Sequence, residues 1–354
     1  MEDNLSTRKL EILKKTIEDY IIDAQPITSG GIHSKHLSDI SSATLRNELN
    51  TLEAMGYLKQ LHTSGGRVPT QKAYRLYVNE LMNQADFDES SLSIIREMFE
   101  IRTTSLEEVV SNIAKTISKA TNYPAVVVLN GLDKLVIQNV KIILVLGSRA
   151  IVLITTNTGV IHNTIEISGI INEQVCMDAS NFLTHHFKGR TIADMILNIN
   201  SFEKQMSDDL KDYKNIFHLL SSCLTELSSQ NHVKLVTEGK VKLLNNPEYK
   251  DMEQAKKVLH LLDNEEELKN IFKDNKNNVG VQFTIGKENK NQNLEDCGVI
   301  TANYTINGST LASIGIIGPQ RMNYSKVAAV LRYIVGELNT IRQLPSNINK
   351  KDEE

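Results

Sequence analysis

One stretch of this chain, Ser41–Leu58, constrains the fold more than any other, because it contains a helix pattern with both end signals. Ser41 and Ser42 can cap a helix N-terminus by accepting hydrogen bonds from its free N–H groups. Apolar residues then recur at helical spacing, at Leu45, Leu49, Leu52 and Met55. Gly56 offers the left-handed conformation that ends a helix. The stretch therefore predicts an amphipathic helix with defined ends.

The opposite face of this helix is polar near its N-terminal end, where it carries Ala43, Arg46, Asn47 and Asn50. A recognition helix meets base edges and phosphates with these positions. Arginine pairs with guanine or a phosphate, and asparagine forms two hydrogen bonds with adenine. An ordinary surface helix facing water has the same pattern, so the helix alone does not decide between these interpretations.

The residues after the helix favour DNA binding. Tyr57–Gln60 predicts a short strand, residues 62–67 predict a tight polar turn with a cation, and Val68 begins the return strand. A helix followed by a hairpin with an arginine at its tip describes a winged helix, whose wing can lie along a groove or backbone. The predicted DNA-contacting residues are Ser42, Ala43, Thr44, Arg46, Asn47 and Asn50 in the helix, and His62, Thr63, Ser64, Gly66 and Arg67 in the hairpin.

The same residues carry a family resemblance. The segments SSATLRNELNTLEAMGYL, HTSGGRVPT and KAYRLYV resemble the N-terminal domain of the HrcA-type heat-inducible transcription repressors. The resemblance resumes at EGKVKLLNNPEY (Glu238–Tyr249) and GPQRMNYSKVAAVL (Gly318–Leu331), so it spans nearly the whole chain. The chain departs from the family pattern at Gly30 and Gly31, where the family carries a basic residue and a threonine.

The resemblance implies a function and partners. A member of this family is expected to be a homodimer that binds an inverted-repeat operator in double-stranded DNA and represses chaperone genes, with its activity maintained by the chaperonin. The resemblance also implies a GAF-like domain interrupted by an inserted dimerisation domain. Two other hypotheses remain open at this stage. One is a metabolite-responsive winged-helix repressor with the GAF-like domain as ligand sensor, and the other is an enzyme with an auxiliary winged helix.

Composition and pattern predict an α+β multidomain chain, in which strand and helix patterns alternate along the 354 residues. With the domain names that the resemblance implies, the predicted boundaries are 1–84 for the winged-helix DNA-binding domain, 85–104 for a linker and helix, 105–135 with 231–344 for the GAF-like α/β domain, 136–230 for the inserted dimerisation domain, and 345–354 for a disordered tail.

Within these boundaries the patterns predict two sheets. The inserted domain should hold a three-stranded antiparallel sheet of Val136–Leu146, Ala150–Thr156 and Val160–Ile167, followed by helices. The GAF-like domain should hold a mixed sheet built from Ala125–Leu129, Val233–Leu243, Val279–Ile285, Gly298–Tyr304 and Ser309–Ile316. A long helix is expected over Asp251–Lys273, and another over Thr70–Gln84.

The net charge of −4 argues mildly against a nucleic-acid-binding protein, so the distribution of charge matters. Residues 28–75 contain six Lys and Arg residues against three Asp and Glu residues. This excess of positive charge falls on the predicted DNA-binding surface, and a dimer would double it.

No residue pattern predicts catalysis, a cofactor or a metal. His33 and His36 can share a helix face, but no cysteine or carboxylate near them in sequence completes a metal site. The three cysteines, Cys176, Cys223 and Cys297, are scattered and form no C-x-x-C pair, which predicts reduced thiols in a cytoplasmic protein. No apolar run reaches the ~18 residues that a membrane span needs, so no membrane partner is expected.

Overall fold

A computed structural model describes residues 5–61, 66–83, 89–100, 106–145, 149–157, 159–166, 171–202, 214, 217, 234–273, 280–306 and 309–343. The described strands form three antiparallel sheets of two, five and three strands. Within this part of the chain, no helix combines the length and the apolar character needed to cross a bilayer. The chain is therefore a mixed helix and sheet protein, as the sequence predicts.

The N-terminal region contains four helices and a hairpin. Its elements are α1 (Thr7–Asp23), α2 (Ser29–Lys35), α3 (Ser42–Ala54), β1 (Leu58–Gln60), β2 (Arg67–Pro69) and α4 (Gln71–Leu76). Ser6 caps α1 by accepting a hydrogen bond from the N–H of Lys9. Ala24, with φ of 53°, ends the helix. Ile12, Leu13 and Ile17 of α1 are fully buried, and this apolar side packs against α3.

The remaining elements follow in chain order: α5 (Glu89–Glu100), α6 (Leu106–Thr121), β3 (Ala125–Leu129), β4 (Ile137–Val145), β5 (Arg149–Thr156), β6 (Val160–Glu166), α7 (Glu173–Phe187), α8 (Ile192–Asn198), β7 (Lys234–Glu238), α9 (Met252–Asp263), α10 (Glu265–Lys273), β8 (Val281–Ile285), β9 (Cys297–Ile306), β10 (Ser309–Pro319) and α11 (Tyr324–Gln343).

The five-stranded sheet has the strand order β7-β3-β10-β9-β8. Alternate side chains of β3 point to opposite faces, so Val127 packs with α6 and α11, whereas Val126 and Val128 pack with α9 and α10. The sheet is thus the middle layer of three. Because both faces are covered, all five residues of β3 are buried.

The expectation of a mixed sheet was wrong, because every strand pair in this sheet is antiparallel. Strands β8, β9 and β10 follow one another closely in the chain, and such strands pair antiparallel since parallel neighbours need a long crossover. Strand β3 pairs with β7 across a long insertion and with β10 far downstream.

The insertion between β3 and β7 contains the three-stranded sheet, in the order β4-β5-β6. Helix α7 lies against β4, where the hydroxyls of Ser180 and Thr184 accept hydrogen bonds from the N–H groups of Ile142 and Val140. These bonds protect the free edge of β4, and they position α7. The predicted helical region 172–229 is described only over 172–202, 214 and 217.

Three predicted elements were too long. The strand predicted over Val233–Leu243 ends at Glu238, and a 3-10 helix covers Lys240–Asn245. The helix predicted over Asp251–Lys273 is broken at Asn264, which has φ of −93° and ψ of 95°. The helix predicted to reach Gln84 becomes a π-helical segment at Tyr77–Leu81, in which the N–H of Met82 bonds the carbonyl of Tyr77.

Candidate nucleic-acid interface

Helix α3 has the geometry that its sequence predicts. The hydroxyl of Ser41 accepts a hydrogen bond from the N–H of Thr44 at 3.1 Å and so caps the helix. Leu45, Leu49 and Leu52 are fully buried. Because these leucines anchor one face in the core, the opposite face is held towards solvent.

That opposite face brings most of the predicted helix residues together. Ser42, Ala43, Arg46, Asn47 and Asn50 are exposed, and their spacing places them side by side along two turns. Among the described residues, no acidic side chain pairs with the Arg46 guanidinium. Thr44 differs, because it is partly buried and its hydroxyl lies 2.9 Å from that of Ser41.

Helix α2 lies next to the start of α3. The hydroxyl of Ser42 donates to that of Ser29 at 3.4 Å, and Thr28 caps α2 by accepting from the N–H of Gly31. Lys35 at the other end of α2 bonds Asp23 at 2.8 Å. This hydrogen bond, together with the charge of Asp19, raises the pKa of Lys35, so the amine stays protonated. Polar contacts therefore join α2 to α3 through Ser29 and to α1 through Lys35.

The hairpin after α3 is fixed to the chain before α2. Leu58 pairs with Pro69 and Gln60 with Arg67, while Ile27 pairs with Arg67 from the other side. A Cβ on Gly66 would lie 2.6 Å from the Ile27 carbonyl oxygen, so the chains approach this closely only with glycine at this position. The predicted tip residues His62, Thr63 and Ser64 lie outside the described residues.

Arg67 does not project freely from the hairpin. Its Nε donates to Glu53 Oε2 at 2.7 Å, and its Nη2 donates to Asn50 Oδ1. Its side chain is only 13% exposed. This pairing was not predicted from the sequence, although Asn50 and Glu53 stand three residues apart and therefore on one helix face. Arg67 thus ties the hairpin to α3.

A second cation supports the C-terminal end of α3. Lys72 donates to the Met55 carbonyl at 3.0 Å, and its Nζ lies 4.3 Å from the ring centroid of Tyr57. A cation stabilises the negative end of the helix dipole, and one over an aromatic ring gains further attraction.

The histidines of this region have structural partners. His33 Nδ1 lies 2.9 Å from the Ile40 carbonyl, and His36 Nε2 lies 2.8 Å from Asp19 Oδ1. Over the described residues, no cluster of three or more His, Cys, Asp and Glu side chains is arranged to hold a metal ion.

Comparison with known proteins identifies the family. The model of the HrcA protein C-terminal domain matches residues 107–328. A protein of Ruminiclostridium cellulolyticum named heat-inducible transcription repressor HrcA is 33% identical over 340 residues, which cover 95% of this chain and 97% of that protein. The chain belongs to the HrcA family. A second HrcA, from Clostridium botulinum strain Alaska E43, is 34% identical over 341 residues, covering 95% and 98% of the two chains.

A solved structure supports the fold of this HrcA-family chain. The crystal structure of a protein described only as hypothetical superposes with a TM-score of 0.67 and covers 95% of this chain and 98% of its own. The two sequences are 21% identical, so the likeness concerns the fold alone.

Proposed function

We propose that this HrcA-family chain is a homodimeric repressor of heat-shock gene transcription, which binds an inverted-repeat operator through an N-terminal winged helix-turn-helix. The observation that carries the proposal is the exposed face of α3 beside a hairpin, in a chain whose relatives are named heat-inducible transcription repressors. In this proposal α3 is the recognition helix, and the hairpin of β1 and β2 is the wing.

The side chains of α3 suit base recognition. Arg46 has the donors to bind guanine O6 and N7 or a phosphate, and Asn47 has the donor and acceptor that match adenine. Ser42 and Ala43 stand at the helix N-terminus, where backbone N–H groups and the helix dipole favour a phosphate. Asn50 Oδ1 already accepts from Arg67, so its amide N–H₂ remains as the donor towards DNA.

The proposed domain boundaries follow the sheets. Residues 1–84 contain the two-stranded sheet and form the DNA-binding domain, and 85–104 form the connection. Residues 105–135 and 231–344 form a GAF-like domain around the five-stranded sheet, and 136–230 form the inserted dimerisation domain. The tail over 345–354 lies outside the described residues. We propose no catalytic activity for this chain. A cytoplasmic location agrees with the proposed role in transcription.

The three-stranded sheet is the proposed dimer contact. Ile143 and Val145 of β4 expose 44% and 39% of their surface, on the side opposite to the buried Val140. Exposed apolar side chains on a sheet face mark an interaction surface. A second copy that covers this face would produce a two-fold dimer, whose symmetry matches an inverted repeat.

The dimer contact is tested by Ile143→Lys, with Met177→Lys as a matched control because Met177 is exposed on α7. We expect sedimentation to give a monomer for Ile143→Lys and a dimer for the control. A dimer in both variants would place the contact elsewhere.

The operator is tested by footprinting the full-length protein on DNA upstream of the chaperonin genes of the source organism. A protected inverted repeat is expected. Arg46→Ala and Asn47→Ala should each weaken binding by about 1–3 kcal/mol and relax specificity at one base position. Arg332→Ala, an exposed arginine on α11, is the control and should bind normally. Unchanged binding in both α3 variants would contradict the proposal.

The chaperonin is the proposed partner that keeps the repressor active. Strand β3 needs β7 and β10 to cover it, and such distant pairing closes late in folding. Exposed apolar strands are what a chaperonin captures. We expect chaperonin with nucleotide to raise the active fraction after refolding from denaturant, while the affinity of that fraction for the operator stays constant. Full spontaneous recovery of activity would count against this partner.

A further inference from the structure

The proposed DNA-binding domain is joined to the five-stranded sheet region at two separate points. The first lies at α4, where Arg75 Nε donates to Glu288 Oε1 at 2.8 Å and Arg75 Nη2 donates to the Phe283 carbonyl at 2.8 Å. Beside it, the N–H of Lys287 donates to Gln71 Oε1 at 3.0 Å. Arg75 thus joins the middle of β8 to the turn that follows this strand.

The second point lies at the C-terminal end of α1. Arg321 Nη1 donates to the Ile21 carbonyl at 2.9 Å, and Arg321 Nη2 donates to Glu248 Oε2 at 3.2 Å. Arg321 is 8% exposed. A cation at this end of a helix also meets the negative end of the helix dipole. Arg321 belongs to the Gly318–Leu331 segment and Glu248 to the Glu238–Tyr249 segment, so the two downstream segments that carry the family resemblance meet here.

A pair of buried tyrosines also joins the two regions. Tyr74 of α4 and Tyr324 of α11 are both buried, and their ring centroids are 5.9 Å apart. Gly286, with φ of 58°, lies close to α4, because a Cβ there would lie 2.6 Å from Gln71 Oε1. Since contacts hold both α1 and α4, the DNA-binding domain cannot pivot about a single attachment.

We infer that Arg75 and Arg321 are positioning residues for operator binding, because together they fix the orientation in which each subunit presents α3. The inference rests on the proposed function. Two recognition helices on a rigid dimer fit one spacing of half-sites, and the second contact then forms at a high effective concentration. If the DNA-binding domains were loosely tethered, the dimer would lose affinity for the correct spacing and accept others.

The test compares Arg75→Met, Arg321→Met and wild-type protein as full-length dimers. Methionine keeps an aliphatic stem and removes the charge and the donors. The probes are the footprinted operator, the same operator with about five base pairs, half a helical turn, inserted between its half-sites, and a duplex with one half-site. Arg332→Ala is the control, and circular dichroism melts report folding. Because Arg75 is about one-third exposed, Arg75→Met gives a folded variant even if Arg321→Met unfolds.

We expect the variants to bind the single half-site as the wild type does and to bind the native operator about tenfold more weakly. Their preference for native over lengthened spacing should fall by a similar factor. A folded Arg75→Met protein with the wild-type spacing preference would overturn the inference, and so would tighter binding to the native operator. Failure of the wild-type protein to bind any of the three duplexes would instead refute the proposed function itself.

Discussion

The contact between Arg67 and α3 leads to a prediction that separates two roles for this arginine. Arg67→Met keeps the aliphatic stem and removes both the charge and the donors. The variant leaves the Glu53 carboxylate and the Asn50 amide oxygen without their donor. We expect the N-terminal region to lose stability and the hairpin to lose its fixed position against α3.

The contacts of Arg67 determine how much stability the Arg67→Met variant should lose. A hydrogen bond to a charged group contributes about 1.5–3 kcal/mol in general. Glu53 is 31% exposed and Arg67 13% exposed, so solvent screens part of this pair. We therefore expect Arg67→Met to lower the free energy of unfolding by about 1–2 kcal/mol. A double-mutant cycle with Glu53→Gln should give a coupling energy of about 1 kcal/mol, measured by urea denaturation.

Operator binding supplies the decisive assay. Glu53 neutralises the Arg67 charge, so Arg67→Met should weaken binding to all sequences evenly and leave the salt dependence unchanged. A direct phosphate contact would instead lower the slope of affinity against salt by about one charge. A lowered slope together with no coupling to Glu53 would refute the positioning role.

Three further predictions concern backbone space, ionisation and a buried thiol. Gly30→Ala should stabilise the chain by about 0.5–1 kcal/mol because a Cβ there meets nothing within 4 Å. Gly66→Ala should lower the melting temperature because its Cβ would meet the backbone of Pro26 and Ile27. Burial alone would raise the pKa of Glu288, but the hydrogen bonds from Arg75 and the N–H of Ile285 outweigh burial and lower this pKa. The ionised carboxylate should therefore stabilise the fold at neutral pH. This stabilisation should be lost as the pH falls below 4.5, the ordinary pKa of a glutamate, and through the lowered pKa of Glu288. Burial raises the pKa of Cys297 to about 11, so the thiol should resist alkylation at neutral pH until the protein unfolds.

Each of these has a clear contrary result. Equal melting temperatures for Gly30→Ala and Gly66→Ala would contradict the inference that a Cβ has room at Gly30 and none at Gly66. Glu288→Gln should flatten the acid dependence of melting, and an unchanged profile would remove this carboxylate as its source. Peptide mapping that finds Cys297 alkylated as quickly in the folded as in the unfolded protein would contradict its burial.

Local sequence patterns predicted the helix and strands of the candidate site. They could not predict contacts between residues that lie far apart in the sequence. The cap Ser41, the leucine stripe and Gly56 all lie in α3 or within two residues of its ends, so these ends were predicted from sequence. The alternation after Val233 continues past Glu238, and only the folded chain shows that the strand stops there. The bond from Arg321 to the Ile21 carbonyl joins residues 300 apart in sequence, which no local pattern encodes.

The position of β10 at the centre of the five-stranded sheet has a consequence for synthesis on the ribosome. Asn130 at the end of β3 contacts Ser313 of β10, and the two are separated by 183 residues. At a translation rate of about 5–20 residues per second, β3 waits roughly ten to forty seconds for its neighbour. Every newly made copy of this repressor therefore passes through an interval in which one edge of β3, an entirely apolar strand, has no partner, so the time that the ribosome needs to reach β10 sets the earliest moment at which the sheet can close.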